Sequence, residues 1–197
     1  QPRSRGLGDV YKRQVRDRGG LTDIARLTIR IDGANDAPIA ANDTGTAVEA
    51  GGTLNGTSGS NASGNVISND RDVDNNDGAN LVAPPLATIT AIRRGAKEGV
   101  GLAGTAIAGG GFELVGFYGT LTIRADGSYT YVVNNSNRFV EALDAGDFII
   151  ESFNYTVLDH PSGLTDTAVL NIRINGVNDA PVASDDSGTA LEAGGMA

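Results

Sequence analysis

The sequence predicts an all-β protein: an antiparallel β-sandwich that occurs as a tandem repeat. Three observations carry that prediction. The chain repeats itself, because residues 27–52 read LTIRIDGANDAPIAANDTGTAVEAGG and residues 170–195 read LNIRINGVNDAPVASDDSGTALEAGG, a constant offset of 143 with no gap. A self-match at fixed period marks an array of like structural units. Alternating apolar and polar runs recur between turns rich in Gly, Asn and Asp. The composition, 28 Gly with five Phe, five Tyr and no Trp, suits short strands joined by turns better than packed helices. Residues 15–36 then read as the C-terminal hairpin of a preceding unit, 37–180 as one complete unit, and 181–197 as the start of the next. A unit of that length is one ordinary domain with a single core.

The complete unit opens with the turn-rich Asn35 to Pro38, and Thr46 to Ala50 forms a first strand. Leu54 to Gly64 is small and polar and reads as a surface loop. Asn65 to Ile67 is a brief apolar step into the acidic stretch Asn69 to Gly78. Ala87 to Ile92 reads as a strand, while the Gly- and Ala-rich Glu98 to Gly111 supports no strand assignment. Gly119 to Val133 is the clearest hairpin. Parity fixes its loop as Ala125-Asp126-Gly127, because only that length sets Leu121, Ile123, Tyr129 and Tyr131 on one buried face. Gly127 is then left-handed, in a type I turn followed by a bulge. Asn137 to Leu143 has Phe139, Val140 and Leu143 at the spacing of a helical turn. Ile149 to Val157 puts Ile149, Phe153, Tyr155 and Val157 on one face. Thr167 to Asn175 points Ala168, Leu170, Ile172 and Ile174 inward and Thr167, Asn171 and Arg173 outward. Val15 to Ile31 parallels Val157 to Ile174 with a turn one residue shorter.

Charge narrows the function. With 15 basic and 24 acidic residues, net -9, the chain lacks the basic face that phosphate binding needs, which argues against a nucleic-acid partner. The absence of cysteine excludes thiolate catalysis and Cys-type zinc sites. No apolar run approaches the roughly 20 residues of a membrane helix, so no membrane insertion is expected. Ser4 to Gln14, SRGLGDVYKRQ, is similar to a translated sequencing-library adapter. On that reading residues 1–14 are foreign and disordered, and what remains carries 11 basic and 23 acidic residues, net -12. The alternative is a natural basic tail.

Four segments in order, Asn65 to Asp74 (NVISNDRDVD), Gly119 to Tyr131 (GTLTIRADGSYTY), Phe153 to Asp159 (FNYTVLD) and Ile174 to Pro181 (INGVNDAP), resemble the VCBS repeats. These are bacterial cadherin-like modules of very large secreted or surface proteins, many of them adhesins related to the RTX exoproteins. The resemblance spans residues 15–197. It implies an Ig-like or cadherin-like sandwich at the bacterial cell surface or outside the cell, with roles in adhesion or biofilm formation.

Calcium takes six to eight oxygen ligands from carboxylates, Asn side chains and carbonyls. Around the first junction stand Asp32, Asn35, Asp36, Asp43 and Glu49, and around the second Asn178, Asp179, Asp185, Asp186 and Glu192. Asn-Asp-Ala-Pro is similar to the calcium-bridged cadherin linker, with departures. Gly33 and Gly176 stand where cadherins carry Asp, Ala37 and Ala180 replace an Asn, and the Pro comes one residue early. The alternative is a linker turn whose Asn and Asp cap backbone groups. Asp70, Asp72 and Asp74, with Asp77 close by, form a second candidate, since carboxylates two apart on an extended segment share a face. The spacing is not that of an EF-hand, and a solvated acidic turn is the alternative.

No catalytic site is expected. His160 is the only histidine and sits in a turn, where a solvent-exposed loop residue is expected rather than a base. No carboxylate pair is singled out for glycoside hydrolysis. Gly109 to Gly111 lacks the features of a phosphate loop. Tyr129, Tyr131 and Tyr155 face inward by parity. The chain therefore reads as a calcium-stiffened extender of an adhesin, partnered by neighbouring repeats. Two other readings are a repeat that itself binds glycan or protein, through Phe112, Phe117 or Tyr118, and a non-catalytic module of a secreted hydrolase.

Overall fold

The computed structural model describes residues 7–74, 87–160, 162–181 and 183–195. Asp77 lies outside them. The chain divides into two compact units, Gln1–Asp36 and Ala37–Ala197.

In the first unit β1 (Leu7–Arg16) pairs antiparallel with β2 (Thr22–Ile31). Residues 7–14, expected to be disordered, are thus in a strand. A backbone ladder needs no matching side chains, so an extended segment can pair with β2 whatever its sequence. The register Val15↔Asp23 repeats Val157↔Asp166 in the second unit. Leu27 and Ile31 of β2 are 51% and 63% exposed, whereas their equivalents Leu170 and Ile174 are fully buried. Among the described residues, the core that this pattern faces in the second unit is formed by the two sheets of that unit.

The second unit is a sandwich of two sheets. One has the order β3 (Asp43–Val48), β11 (Thr165–Asn175), β10 (Phe148–Asp159), β5 (Ala87–Arg94). The other has the order β4 (Ala62–Asn65), β9 (Ser128–Val133), β8 (Gly119–Arg124), β7 (Gly111–Val115), β6 (Thr105–Ala106). All pairings are antiparallel except β3 with β11, whose strands run side by side from Asp43↔Leu170 to Val48↔Asn175.

The β8–β9 hairpin has the expected register, Leu121↔Tyr131 and Ile123↔Tyr129. Gly127 has φ +81 and its amide closes the turn onto the Arg124 carbonyl at 3.0 Å. Leu121, Ile123, Tyr129 and Tyr131 of this hairpin meet Phe153, Tyr155, Leu170, Ile172 and Ile174 of the facing sheet in one core. The Tyr131 and Phe153 rings sit tilted at 5.9 Å, an arrangement aromatic pairs favour.

Several expectations are corrected. Ala62 to Gly64, read as loop, belong with Asn65 to β4, because Ala62 is buried against the core while the next three residues need only backbone pairing with β9. Residues 98–111 contain β6 and the start of β7, whose Gly, Thr and Ala carry little pattern. Phe139 is exposed, with the Arg138 guanidinium 4.5 Å from its ring centre, so only Val140 and Leu143 anchor that turn. His160 is half-buried, its Nε2 3.0 Å from Thr88 Oγ1.

The inward face of β10 holds a residue that the apolar pattern skipped. Glu151 is buried between Ile149 and Phe153. It accepts hydrogen bonds from the Phe117 and Tyr118 amides and, at 2.6 Å, from the Tyr131 hydroxyl. One carboxylate thereby pins the loop between β7 and β8.

Candidate functional site

Two sets of acidic residues form in the second unit, Asp43, Asp70, Asp72, Asp159 and Asp166 in one and Glu49, Glu141, Asp144 and Asp179 in the other. β3 decides which goes where. Six extended residues rising about 3.3 Å each place its ends roughly 20 Å apart. Asp43 therefore lies at the entry end and Glu49 at the exit end. This separates two residues that sequence proximity assigns to one junction.

At the entry end Asp70 is fully buried. Its Oδ1 accepts the Ala41 amide at 2.8 Å, and its Oδ2 receives no hydrogen bond. Burial pushes its pKa up to about 7, with the charges of Asp43 and Asp166 adding to it and the Ala41 amide and Tyr155 hydroxyl opposing it. Asp43 is likewise raised to about 6 by burial, against the lowering effect of hydrogen bonds from Tyr155 and Asn69. The Tyr155 hydroxyl lies 2.8 Å from Asp43 Oδ2 and 3.0 Å from the carbonyls of Ala41 and Val66, which ties three segments together. Asp166 accepts the Ala40 amide. Asp72 is also fully buried, and burial raises its pKa, with Asp159 and Asp74 adding repulsion. Asp74 is exposed and its amide donates to Asp72 Oδ1. A solvated turn therefore describes Asp74 but not Asp70 or Asp72.

At the exit end Glu49 is fully buried. Its Oε1 accepts the Val177 amide at 2.9 Å and its Oε2 receives no hydrogen bond. Burial raises its pKa, and Asp179, Glu141 and Asp144 raise it further by repulsion. Asp179 Oδ1 is buried and equally without a donor. The departing linker is strapped to the end of the first strand, with Gly52 N on the Asn178 carbonyl at 3.1 Å and Ala180 N on the Gly52 carbonyl at 3.3 Å. Gly176 is required by a close approach, since a Cβ there would lie 2.5 Å from the Asp144 carbonyl oxygen and Leu143 Cβ. The position where cadherin linkers carry Asp is here the contact point of the segment that brings Asp144 in.

The remaining sequence candidates are not drawn into either cluster. Asp32 accepts from Arg30 Nε at 2.5 Å in the first unit. Asn35 Nδ2 donates to the Asp36 carbonyl, and Asn178 Nδ2 does the same to Asp179, so the linker turn repeats. Asp186 and Glu192 are exposed in a segment without strand pairing. Glu141, Asp144, Asp159 and Asp166 join the clusters although nothing in their sequence spacing marks them.

Among the described residues, no three His, Cys, Asp or Glu side chains already converge in metal-binding geometry. The donor chemistry nonetheless fits a hard cation. Every buried side-chain nitrogen or oxygen without a hydrogen-bond partner among the described residues is a carboxylate oxygen: Glu49 Oε2, Asp70 Oδ2 and Asp179 Oδ1. Such atoms require a proton or a cation.

A family model for bacterial cadherin-like domains matches residues 35–176. The chain belongs to that family. The cadherin-like repeat is also 37% identical over 75 residues to a protein of Rhizobium johnstonii described as calcium-binding lectin RapA2. That match covers 38% of the cadherin-like chain and 30% of the lectin's length.

Proposed function

We propose that this cadherin-like repeat is an extender of a large secreted or surface-anchored bacterial adhesin, of the VCBS type, stiffened by calcium at its junctions and supporting adhesion or biofilm formation. The observation that carries the reading is the set of donor-free buried carboxylate oxygens at both ends of one unit. Glu49 and Asp179, with Glu141 and Asp144 beside them, form the exit half of a junction; Asp43, Asp70 and Asp166 form the entry half of the next. The relative described as calcium-binding supports the choice of ion. Bound calcium would supply the positive charge that these acids lack, and the chain's own part is to hold their oxygens in place. Modules of this kind outside the cell bind calcium at about 10⁻⁴–10⁻³ M. Ion binding of that strength orders the junctions there and leaves them loose at the low calcium inside the cell.

The test is a thermal melt of the chain in chelator and across a calcium titration, with magnesium as control. A calcium-specific rise in Tm, reduced in Asp179→Ala, is expected. A flat response overturns the metal reading. Small-angle scattering of several linked repeats, with and without calcium, tests the stiffening directly.

A second reading has one observation in its favour. Phe117 is 63% exposed on the loop that Glu151 pins, with the Arg94 guanidinium 4.0 Å from its ring centre, whereas Phe112 and Tyr118 are half-buried. A rigid exposed aromatic suits glycan contact, and the relative is described as a lectin. Glycan-array binding that disappears in Phe117→Ala would favour it over the spacer reading.

A further inference from the structure

One strained segment stands beside the exit cluster. Leu54 and Asn55 have φ of 52° and 55°, both in the left-handed region. Asn tolerates that conformation through its short polar side chain, but Leu does not. Leu54 is 81% exposed, so packing of its side chain does not account for the strain. Strain that the surroundings hold in place directs attention to what it positions. Here it positions the Asn55 amide.

Asn55 Nδ2 donates to Glu141 Oε1 at 3.0 Å and Oε2 at 3.2 Å, and to the Asn135 carbonyl at 3.2 Å. Asn135 in turn accepts the amide of Ala50 through its Oδ1 at 2.9 Å. Ala50 follows Glu49, the residue with the buried donor-free oxygen. A strained turn, an amide and a carboxylate are thus linked to the strand end that carries Glu49.

We propose that Asn55 is a positioning residue of the exit-end cation site: its amide fixes the Glu141 carboxylate near the strand end that carries Glu49, so that Glu141 can join Glu49 and Asp179 as a ligand when a cation draws the three together. The inference rests on the calcium reading of this end. Orienting groups one layer behind a ligand typically change metal affinity 10- to 100-fold when removed. A turn with only a local structural task would be served better by glycine, which adopts positive φ freely.

That contrast supplies the test. Asn55→Gly removes the amide and relieves the backbone. Calcium binding is followed by isothermal titration of the full chain with calcium chloride, and folding by the Tm in chelator. The exit-end component is identified as the one lost in Glu49→Gln. The expected result for Asn55→Gly is that this component weakens about 10-fold, while the Tm in chelator holds or rises. Leu54→Gly, which relieves strain and keeps the amide, should retain wild-type affinity. In a Glu141→Gln background, Asn55→Gly should add nothing further. Unchanged affinity in Asn55→Gly overturns the inference and leaves the calcium reading standing. A chain that no longer folds in chelator overturns it in favour of a structural turn. If the wild type shows no component sensitive to Glu49→Gln, the calcium reading of this end fails and the inference with it.

Discussion

Asp70→Asn is the substitution with the largest expected effect at the entry end. Asp70 is fully buried, one of its oxygens has no donor, and its pKa stands at about 7 against an ordinary 3.8. A shift of about three units corresponds to roughly 4 kcal/mol at about 1.36 kcal/mol per unit, and screening by solvent near the end of the sandwich brings the expected value to about 2–4 kcal/mol. The sign follows from the direction. A carboxyl raised in the folded state contributes stability that is fully present below pH 3.8 and lost as the pH rises through about 7. In chelator the wild type should therefore be less stable at pH 8 than at pH 4. Asn keeps an acceptor for the Ala41 amide and places a neutral donor where the orphan oxygen was. At pH 8 in chelator the variant should be more stable by about 2–4 kcal/mol, a Tm increase of roughly 5–15 °C for a domain of this size. At pH 4 the two should nearly coincide. In saturating calcium the order should reverse, because only the wild type gains stability from an entry-end ion there, while the exit-end site is intact in both. Urea denaturation at both pH values, with chelator or calcium, measures all four quantities. A variant that is destabilised equally at pH 4 and pH 8 in chelator would refute the reasoning, for the carboxyl would then be a hydrogen-bonding element rather than a buried charge.

Three further outcomes are expected. Glu49→Gln keeps the acceptor for Val177 N and removes a raised carboxylate, so its Tm in chelator should hold or rise by a few degrees while part of the calcium-induced shift disappears, as read by the same melts. Gly127→Ala forces a Cβ to 2.7 Å from Ile67 Cγ1 at φ +81 and should cost about 2 kcal/mol or more in urea denaturation. Glu151→Gln removes one of the two acceptors that hold the Phe117 and Tyr118 amides and the Tyr131 hydroxyl. It should cost about 2–4 kcal/mol and raise hydrogen exchange at those two amides, measured by mass spectrometry or NMR.

The elements legible in the sequence are those whose side chains alternate around a turn of fixed chemistry. The β8–β9 hairpin follows from parity and one glycine, and β11 from four inward aliphatics. The elements that escaped are held by backbone rather than by pattern: β4 and β6 offer Ala, Ser, Gly and Thr. Glu151 was missed because a charged residue reads as solvent-facing. The signal was its place in the alternation, two residues from Ile149 on one side and from Phe153 on the other. For the candidate site, the types and the linker motif were legible, but the grouping was not. Asp43 and Glu49 are six residues apart in sequence and belong to opposite ends, whereas Glu49 and Asp179 are 130 apart and share one end. Glu141 and Asp144 reach the exit cluster only through the turn anchored by Val140 and Leu143.

The side-by-side run of β3 and β11 has a mechanical consequence for a repeat in a chain under tension. Load enters near Asp43, at the start of β3, and leaves past Asn175, at the end of β11. The two strands are parallel neighbours over six register pairs. Pulling on the two termini therefore slides one strand along the other and loads the rungs between them together, in shear, instead of peeling them apart one at a time. A unit wired in this way opposes extension along that axis with its six rungs acting at once.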